Sequence, residues 1–451
     1  MTRNQDGGDL PSRSIDGVSF ALSRPPVFVM NPYYSGLGIA RSLRGSGVRV
    51  YALCSERDAA GASSRYFDAV YATPNSRDEP DAFCRRLIEL RGSQTSHPLI
   101  FPTRDFDVLL LHDFAATLSK HYVLPQPVRS PILRMMDKLE LASVARGLGM
   151  PTPATRACGS SDDIDRCALS FRFPVVVKPR YAYQWRGKGD WEKVGAQKAI
   201  VVEDATVLRA VYARLAQVTE EVLVQEYVAG DDSDIVVSCC YVDRTGALNG
   251  YFTGRKLKQN PPLIGTGSVV EATDIPAIVA PSYEILKAFD YRGIAEIEYK
   301  YDAGTCSYQL IEINARHWDQ HELGNLVGVN ITRLAYADMI GERFPAVVPT
   351  YGSGQYKWIA ERELVVSATK IFLDEIARRS DAGRARRTIG AFRKVVSELR
   401  RLTRGKKIFA LVRMSDPLPG IVMAWTVLCQ AFVWLAKQRQ SHQQAVDQPV
   451  R

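Results

Sequence analysis

Residues 293–316 read GIAEIEYKYDAGTCSYQLIEINAR and contain the most informative pattern in the chain. Two runs of alternating apolar and polar residues flank the turn sequence DAGT, which predicts an antiparallel hairpin. Residues two apart on a strand share a face, so Glu296 lies beside Glu298 and Glu312 beside Asn314. If even positions pair with even positions, three carboxylates and one amide oxygen converge on one face of the hairpin.

This acidic face has two interpretations. It is either a solvated hairpin surface or a cation site, because like charges at that spacing repel unless a cation lies among them. Carboxylate and amide oxygens are ligands that suit Mg²⁺ holding nucleotide phosphates. Two lysines favour the second interpretation: Lys178 ends the apolar run VVVKP, and Lys138 lies 40 residues earlier in DKLELA. Each lysine alone would also suit an ordinary surface position.

The regions around the hairpin differ in pattern and predict a chain of several domains. Residues 1–24 are polar and lack a signal-peptide core, so we expect a flexible tail. Residues 25–130 begin with the buried-strand run PPVFVMN and alternate strand and helix patterns, which predicts a parallel α/β domain. Residues 131–349 mix helices with strand-like runs and predict an α+β unit. Residues 350–451 are expected to form a helical, basic extension.

Two short patterns raise the question of other ligands. Gly36 and Gly38 resemble the start of a dinucleotide fingerprint, but Arg41 stands where the third glycine belongs, which favours a tight strand-to-helix turn. His317 and His321 have the i, i+4 spacing of a zinc pair. No third ligand is evident in the sequence, so contact with substrate or a structural role is expected instead.

Composition excludes several classes of protein. The chain has 451 residues, of which 46% are apolar and 24% charged, as in ordinary globular proteins and unlike disordered, collagenous or coiled-coil chains. Its eight cysteines include no C-x-x-C pair, so neither a zinc signature nor a disulfide framework is indicated. A reducing, cytoplasmic location fits this pattern.

The basic charge is concentrated near the C-terminus. Residues 378–407 hold 12 Lys or Arg and 2 Asp or Glu, whereas the rest of the chain is close to neutral. An apolar segment at 417–436 follows. Its main part, 421–436, has 16 largely apolar residues interrupted by Thr426 and Gln430, and it is too short for a spanning helix of about 20. We expect peripheral association with the anionic inner face of a membrane, or packing of this helix on the body. Nucleic-acid binding is not expected, because aromatic residues do not interleave with the basic ones.

A series of motifs resembles a known superfamily. MMDK, FPVVVKP, LVQEYVAG, GRKLKQNPP, AEIEYK and LIEINAR occur in the order found in the ATP-grasp superfamily of carboxylate–amine ligases, and the likeness is strongest to the D-aspartate ligase type. It covers residues from about 25 to 345. The resemblance implies a pre-ATP-grasp domain followed by a two-lobed ATP-grasp fold, with the interlobe hinge near residues 225–230. It also implies ATP as a cofactor together with Mg²⁺ or Mn²⁺.

The resemblance assigns residues to the nucleotide. Lys138 and Lys178 match the two lysines that hold the α- and β-phosphates. The residues matched to adenine and ribose are Gln225 through its side chain, Glu226 and Val228 through backbone groups, and Asp232 or Asp234 at the ribose hydroxyls.

It also assigns the reacting end of the site. Glu298, Glu312 and Asn314 match the magnesium ligands, and Arg316 matches the guanidinium beside the acyl phosphate. Lys256, in GRKLKQ, is implied to contact the γ-phosphate or the substrate carboxylate.

One segment departs from the family pattern. The family covers the triphosphate with a compact Ser/Gly-rich loop, whereas residues 181–198 read YAYQWRGKGDWEKVGAQK, which is long and basic. This loop is expected either to close over phosphate or to be an ordinary surface loop. The residues suited to phosphate contact are Arg186, Gly187, Lys188, Gly189 and Gly195, with Trp185 and Trp191 beside them.

The implied function is an ATP-dependent ligase that joins a carboxylate to an amine through an acyl phosphate and releases ADP and phosphate. Its partners would be small molecules, such as an amino acid and an envelope precursor. Two alternatives stay open: a carbamoyl-phosphate-synthase-like or carboxylase-type enzyme with the same lobes, and a non-catalytic, membrane-tethered nucleotide-binding module.

Overall fold

The structure is a computed structural model that arranges the chain around three β-sheets. It describes residues 24–55, 60–92, 96–125, 132–186, 190–195, 197–352, 355–377, 384–427 and 429. Within these residues the sheets have four, four and seven strands. The predicted tail at 1–24 lies outside the described residues except for its last position. The mixed α/β class predicted from the sequence is confirmed.

The first sheet is a small parallel sheet near the N-terminus. Its strands are β1 (Val27–Met30), β2 (Val50–Cys54), β3 (Ala69–Ala72) and β4 (Leu99–Phe101). The helices here are α1 (Tyr34–Ser42), α2 (Pro80–Arg91), α3 (Asp105–Asp113) and α4 (Ala115–Leu118). The strand order is β3-β2-β1-β4 and all pairs are parallel. Because β1 is apolar on both faces and fully buried, it can occupy the middle of a covered sheet.

The glycines of α1 allow the helix to approach its neighbours closely. A Cβ at Gly36 would lie 2.1 Å from the main-chain oxygen of Asn31, and one at Gly38 would lie 2.7 Å from Nε2 of His321. Any larger residue would push the helix away from β1 or from the buried histidine. The sequence predicted a tight strand-to-helix turn at these glycines, but both lie within α1, where they permit close packing.

The second sheet is antiparallel and forms the smaller lobe. Its strands are β5 (Thr155–Cys158), β6 (Val175–Lys178), β7 (Ile200–Val202) and β8 (Val222–Glu226), in the order β5-β8-β6-β7. Two helices lead into it, α5 (Ile132–Met136) and α6 (Lys138–Gly147). The helices that connect its strands in sequence are α7 (Ser161–Ser170), α8 (Asp190–Lys193) and α9 (Ala205–Leu215). Apolar residues of α7 and α9 pack with those of β6 and β8 in one core.

The third sheet is the largest and carries the acidic hairpin. Its strands are β9 (Ile235–Val242), β10 (Leu248–Asn260), β11 (Thr266–Ala272), β12 (Gly293–Asp302), β13 (Ser307–Asn314), β14 (Tyr356–Ile359) and β15 (Lys406–Phe409). The helices beside it are α10 (Val279–Ala288) and α11 (Ile331–Met339). The strand order is β13-β12-β9-β10-β11-β14-β15, antiparallel except for the parallel pair β14 and β15.

The register of the hairpin is the one that brings the polar side chains together. Glu296 lies opposite Asn314, and Glu298 lies opposite Glu312. Even positions therefore pair with even positions, and the predicted convergence is confirmed. The register shifts immediately after Glu298, so the alignment is maintained only at the end of the hairpin where these four residues lie.

The C-terminal region contains strands as well as helices. Its helices are α12 (Glu361–Ala377) and α13 (Arg384–Thr403), but β14 and β15 also belong to it and extend the third sheet. The expectation of a purely helical extension beyond residue 350 is corrected. YKWI and KKIF are four residues each, too short to show a strand period in the sequence.

The last described segment is attached to the first domain through a buried ion pair. Asp416 accepts hydrogen bonds from Arg41 (3.1 Å) and from the hydroxyl of Ser64 (2.7 Å). Residues 418–427 are helical, and the part of the apolar segment 417–436 beyond them lies outside the described residues except for position 429. Among the helices that the structure describes, none has the length and apolarity needed to cross a bilayer.

Candidate nucleotide and metal site

A cavity of about 170 Å³ lies between the second and third sheets. Its walls come from the ends of β6 and β8 on one side and of β12 and β13 on the other. The predicted site residues that line it are Lys138, Lys178, Gln225, Glu226, Val228, Glu298, Glu312, Asn314 and Arg316. Segments far apart in sequence thus meet around one space.

Lys178 is a buried cation at the small-lobe wall. It is 5% exposed, and its Nζ donates to Oε1 of Gln225 at 2.8 Å. Burial, and then the charge of Lys138, lower the pKa of Lys178 to about 7, although Glu312 opposes them. An anionic group in the cavity would stabilise the charged form, as expected of a phosphate-binding lysine.

Gln225 has both ends of its side chain engaged. Its Oε1 accepts from Lys178, and its Nε2 donates to Oγ1 of Thr155 at 2.7 Å. The carboxamide orientation is therefore fixed, with the oxygen on the side of the cavity lysine. This oxygen retains a second lone pair for a donor such as an exocyclic amine.

Lys138 connects the two lobes at the mouth of the acidic hairpin. Asp137 accepts from the backbone amides of Leu139 and Glu140 and so caps α6, with Lys138 as the first helical residue. The Nζ of Lys138 lies 3.7 Å from Oε1 of Glu312. The cap thus fixes the position from which the ammonium group reaches the hairpin.

The hairpin face has a strong internal electrostatic pattern. Nδ2 of Asn314 donates to Glu296 (3.0 Å) and lies 3.4 Å from Glu298, whose Oε1 is 2.6 Å from Nζ of Lys256. Burial, and then the neighbouring charge of Glu298, raise the pKa of Glu296 to about 8. Burial beside Glu298 therefore favours the protonated form of Glu296 at neutral pH.

The pKa of Glu312 is shifted in the opposite direction to that of Glu296. Burial works against its ionisation, but Lys138, Lys198 and Lys178 together lower its pKa. Glu312 is consequently an ionised carboxylate, and it lies between the small-lobe lysines and the rest of the acidic face.

The donor set fits a nucleotide-bound Mg²⁺. Across the described ranges no three His, Cys, Asp or Glu side chains form a ready metal cluster. Glu298, Glu312 and Asn314 offer two carboxylates and one amide, which are hard oxygen donors. Mg²⁺ at phosphate sites is commonly held by one or two carboxylates and completed by phosphate oxygens and water. An incomplete protein shell is therefore the pattern expected for a metal that arrives with a nucleotide.

Arg316 is held by a residue that the sequence did not reveal. Its Nε donates to Oδ1 of Asp105 at 2.6 Å, and its Nη2 donates to Oδ1 of Asn314 at 3.1 Å. Burial opposes the charge, but Asp105 raises the pKa of Arg316 overall. Asp105 is the first residue of α3, so the first domain helps to position the guanidinium. No local pattern predicts a contact that spans 211 positions.

A second cavity of about 150 Å³ adjoins the first one. The two share Lys198, Glu298, Asn314 and Arg316. Lys256 lines the second cavity and is 2% exposed. Burial lowers its pKa, but Glu298, Glu296 and Glu312 together raise the pKa overall. The residues that the second cavity adds from the first domain and the segment after β13 are Thr103, Arg104, Trp318, Asp319 and Gln320. Among the lining residues that are not shared with the first cavity, the sequence analysis assigned a ligand contact only to Lys256.

The two aspartates predicted to meet ribose line neither cavity. Asp232 is buried and accepts from the backbone amide of Gln259 (3.0 Å), from its side chain (3.1 Å) and from the amide of Leu263 (2.6 Å). Asp234 accepts from the amide of Asp231 at 2.8 Å. Asp232 therefore holds the turn after β10, and we correct its ribose assignment, whereas the ribose contact of Asp234 stays a prediction.

The long loop at 181–198 contributes to the first cavity. Trp185, Trp191 and Lys198 line it, and Nζ of Lys198 donates to Oγ1 of Thr266 at 2.6 Å. This contact ties the small-lobe loop to β11 of the other lobe. The predicted phosphate contacts Gly187, Lys188 and Gly189 lie outside the described residues.

The two histidines are core residues. His317 contacts Oγ1 of Thr332 at 3.1 Å, and Nε2 of His321 lies 3.0 Å from the main-chain oxygen of Ser35. Burial lowers the pKa of His317 and lowers that of His321 to about 4, so both are neutral. Neither lines the nucleotide cavity, which supports the structural interpretation.

A cleft between two lobes, with lysines on one wall and an acidic hairpin on the other, defines the class of protein. Residues 137–339 match the family described as "Carbamoyl-phosphate synthase L chain, ATP binding domain". These residues form an ATP-grasp domain.

Individual relatives agree with this classification. The chain is 27% identical over 280 residues to D-aspartate ligase of Enterococcus faecium (strain Aus0004), covering 60% of this chain and 65% of that protein. It is 23% identical over 336 residues to the N-terminal section of the carbamoyl phosphate synthase large chain of Methanopyrus kandleri, covering 70% and 54%. The chain thus spans less than two thirds of the length of either curated relative.

Solved structures show the same fold. N5-carboxyaminoimidazole synthetase from Staphylococcus aureus superposes with a TM-score of 0.58, covering 79% of this chain and 90% of that one at 14% identity. At this identity the likeness concerns the fold alone.

Proposed function

We propose that this chain is an ATP- and Mg²⁺-dependent ligase that joins a carboxylate to an amine through an acyl phosphate. The observation that carries the proposal is that Lys138 and Lys178 line the same cavity as Glu298, Glu312 and Asn314. Two cations facing a set of hard oxygen donors suit a polyphosphate that brings its own metal ion.

The nucleotide would occupy the 170 Å³ cavity. Lys178 and Lys138 hold the α- and β-phosphates, and the hinge strand β8 presents Gln225 to the adenine. Glu226 and Val228 also line the cavity and supply hinge backbone groups. Trp185 and Trp191 of the long loop exclude water from the phosphate end.

Glu298, Glu312 and Asn314 would hold Mg²⁺, which neutralises developing charge on the transferred phosphoryl group. Arg316, fixed by Asp105, orients the carboxylate substrate for in-line attack. A carboxylate oxygen attacks the γ-phosphorus, the bond to the bridging oxygen of ADP breaks, and ADP leaves. The amine then attacks the acyl carbon, the bond from carbon to the phosphate oxygen breaks, and the nitrogen loses a proton.

The acid and the amine would bind in the second cavity. It shares Arg316 with the nucleotide cavity and adds the cations Arg104 and Lys256 and the carboxylate of Asp319. Groups of both signs around about 150 Å³ suit a small substrate that carries a carboxylate and an amine, such as an amino acid.

A second candidate function is a carboxylase-type or carbamoyl-phosphate-synthase-like reaction. The family match at residues 137–339 favours it, and the same lobes serve both chemistries. Bicarbonate-dependent ADP release that needs no organic acid would identify this alternative. A non-catalytic nucleotide-binding module would instead bind ATP and release no ADP with any substrate mixture.

The test is ADP release from the full-length protein, screened over panels of carboxylates and amines. We expect release to require one member of each panel, and to fall at least about 100-fold in Lys178→Met and Glu312→Gln. Glu284→Gln is the matched control, because Glu284 is exposed on α10 and its one ion pair among the described residues is with Lys287. Activity that survives in both site variants would contradict the proposal.

We also propose that the C-terminal segment contacts an anionic membrane surface at the cytoplasmic face. Met414, Leu418, Ile421 and Trp425 are exposed apolar residues within or next to the helical stretch at 418–427. Their position after a basic helix favours interfacial contact. Sedimentation with phosphatidylcholine–phosphatidylserine vesicles should fall in Ile421→Ser/Trp425→Ser, and unchanged sedimentation would contradict this role.

A further inference from the structure

A third cavity lies away from the nucleotide cleft, between the third sheet and the end of α13. Its volume is about 450 Å³, within the range of about 300–1,000 Å³ typical of small-molecule sites. It shares no lining residue with the two cavities of the catalytic cleft. Its walls are formed by Leu257, Glu271, Gln355, Lys357, Arg400, Arg401 and Arg404.

The charge around this cavity is strongly unbalanced. Four of its seven lining residues are cations and one is a carboxylate. Arg401 pairs with Glu398 at 2.8 Å. Within the described residues no carboxylate lies at ion-pair distance from Arg400 or Arg404. Arginines in the last turn of a helix also interact with its carbonyl groups, but that role does not require three of them to line one cavity.

The cations are mounted on a fixed frame. Leu399 and Leu402 of α13 pack in an apolar cluster with Val269 of β11 and Ile359 of β14. Arg400 and Arg401 lie between these leucines in sequence and line the cavity beside β10, β11 and β14. Apolar packing thus holds the end of α13 against the sheet, and the exposed arginine side chains project from this fixed position.

Lys357 supplies a buried charge in the wall. Its side chain is 3% exposed, and its Nζ donates to the main-chain oxygen of Arg401 at 3.2 Å. Burial lowers the pKa of Lys357, Glu271 opposes this, and Arg401 and Arg404 lower it further. Oε1 of Glu271 is buried without a hydrogen-bond partner among the described residues and lies 3.8 Å from Nζ of Lys357. The site therefore has excess positive charge together with one free acceptor.

We infer that this cavity binds a phosphorylated small molecule, with the phosphate at Arg400, Arg404 and Lys357 and a hydroxyl or amine donor at Glu271. Guanidinium groups bind phosphate oxygens through paired, charge-assisted hydrogen bonds. The same phosphate chemistry occurs in a free metabolite and in the headgroup of an anionic lipid, and the test has one arm for each source.

The cavity also lies directly behind the catalytic cleft. Lys256 and Leu257 are consecutive on β10, and one lines the substrate cavity while the other lines the third cavity. The two sites therefore use successive residues of a single strand.

The test measures binding of sodium tripolyphosphate to the full-length chain by isothermal titration calorimetry. Because our proposed nucleotide site also binds phosphate, the titration is repeated in Lys178→Met. We expect one binding component that persists in Lys178→Met and weakens at least about tenfold in Arg400→Gln/Arg404→Gln. Lys357→Met should weaken the same binding component. Agreement between these two independent variants would show that the loss is not caused by misfolding of one of them.

The matched control is Arg343→Gln/Arg393→Gln, which removes two exposed charges outside the cavity. In the lipid arm, vesicles of phosphatidylcholine with and without phosphatidic acid are sedimented with the same variants. Loss of tripolyphosphate binding or of vesicle binding in Arg400→Gln/Arg404→Gln, but not in the control, supports the site. The probe whose binding is lost identifies whether the phosphate belongs to a free metabolite or to a lipid headgroup. Wild-type binding of both probes by that variant, or an equal loss in the control, overturns the inference.

Discussion

Replacement of Lys178 by arginine should abolish a proton uptake that accompanies nucleotide binding. The pKa of Lys178 is lowered from its ordinary 10.5 to about 7, chiefly by burial. At pH 8 about nine tenths of the free protein would therefore carry a neutral amine at this position, whereas a bound phosphate requires the ammonium.

The expected magnitude follows from this pKa. Binding should take up about 0.9 proton at pH 8, about 0.5 at pH 7 and about 0.1 at pH 6. The affinity for the nucleotide should fall as the pH rises, because the neutral amine of Lys178 must be protonated before it holds phosphate. Between pH 6 and pH 8 the affinity should fall about tenfold for this reason alone.

The assay is calorimetry of ADP binding with Mg²⁺ in buffers of different ionisation enthalpy. The slope of the observed binding enthalpy against the ionisation enthalpy of the buffer gives the number of protons taken up. Lys178→Arg stays charged throughout, so protons exchanged by ADP and by other groups, including Glu296, cancel in the difference. A melting curve confirms that the variant is folded. Equal proton uptake by both proteins at pH 8 would refute the reasoning.

Three further predictions concern other parts of the account. Glu312→Gln should raise the Mg²⁺ concentration needed for half-maximal ADP release at least about tenfold, and an unchanged requirement would exclude Glu312 as a ligand. Asp105→Asn should lower kcat by about tenfold and raise KM by a smaller factor, because Arg316 loses the group that orients it. A change in KM alone would argue against this positioning role. Asp232→Ala should lower the free energy of unfolding in urea by about 1–3 kcal/mol, because Gln259 and Leu263 lose their acceptor, whereas a loss of nucleotide affinity with unchanged stability would restore the ribose assignment.

The acidic hairpin could be predicted because its information is local. The alternation around Glu298 and Glu312 has a period of two, and the short turn DAGT leaves few registers that keep both strands amphipathic. The position of Lys178 at the end of an apolar strand was also local information, but its assignment to phosphate came from the resemblance to the ATP-grasp superfamily.

Contacts between distant segments could not be predicted in this way. Asp105 reaches Arg316 across 211 positions, and nothing in the pattern around either residue specifies the other. Asp232 illustrates the converse: the motif pointed to ribose, but the folded chain uses this carboxylate to hold the turn after β10. The strands β14 and β15 were missed because four residues are too few to show a period.

The most direct test of the central claim is the affinity of ADP measured with and without Mg²⁺ in the wild-type protein and in Glu298→Gln/Glu312→Gln. If the hairpin holds a metal that the nucleotide brings, Mg²⁺ should strengthen binding in the wild type and have little effect in the variant. Nucleotide binding that responds to Mg²⁺ to the same degree in both proteins would contradict the account.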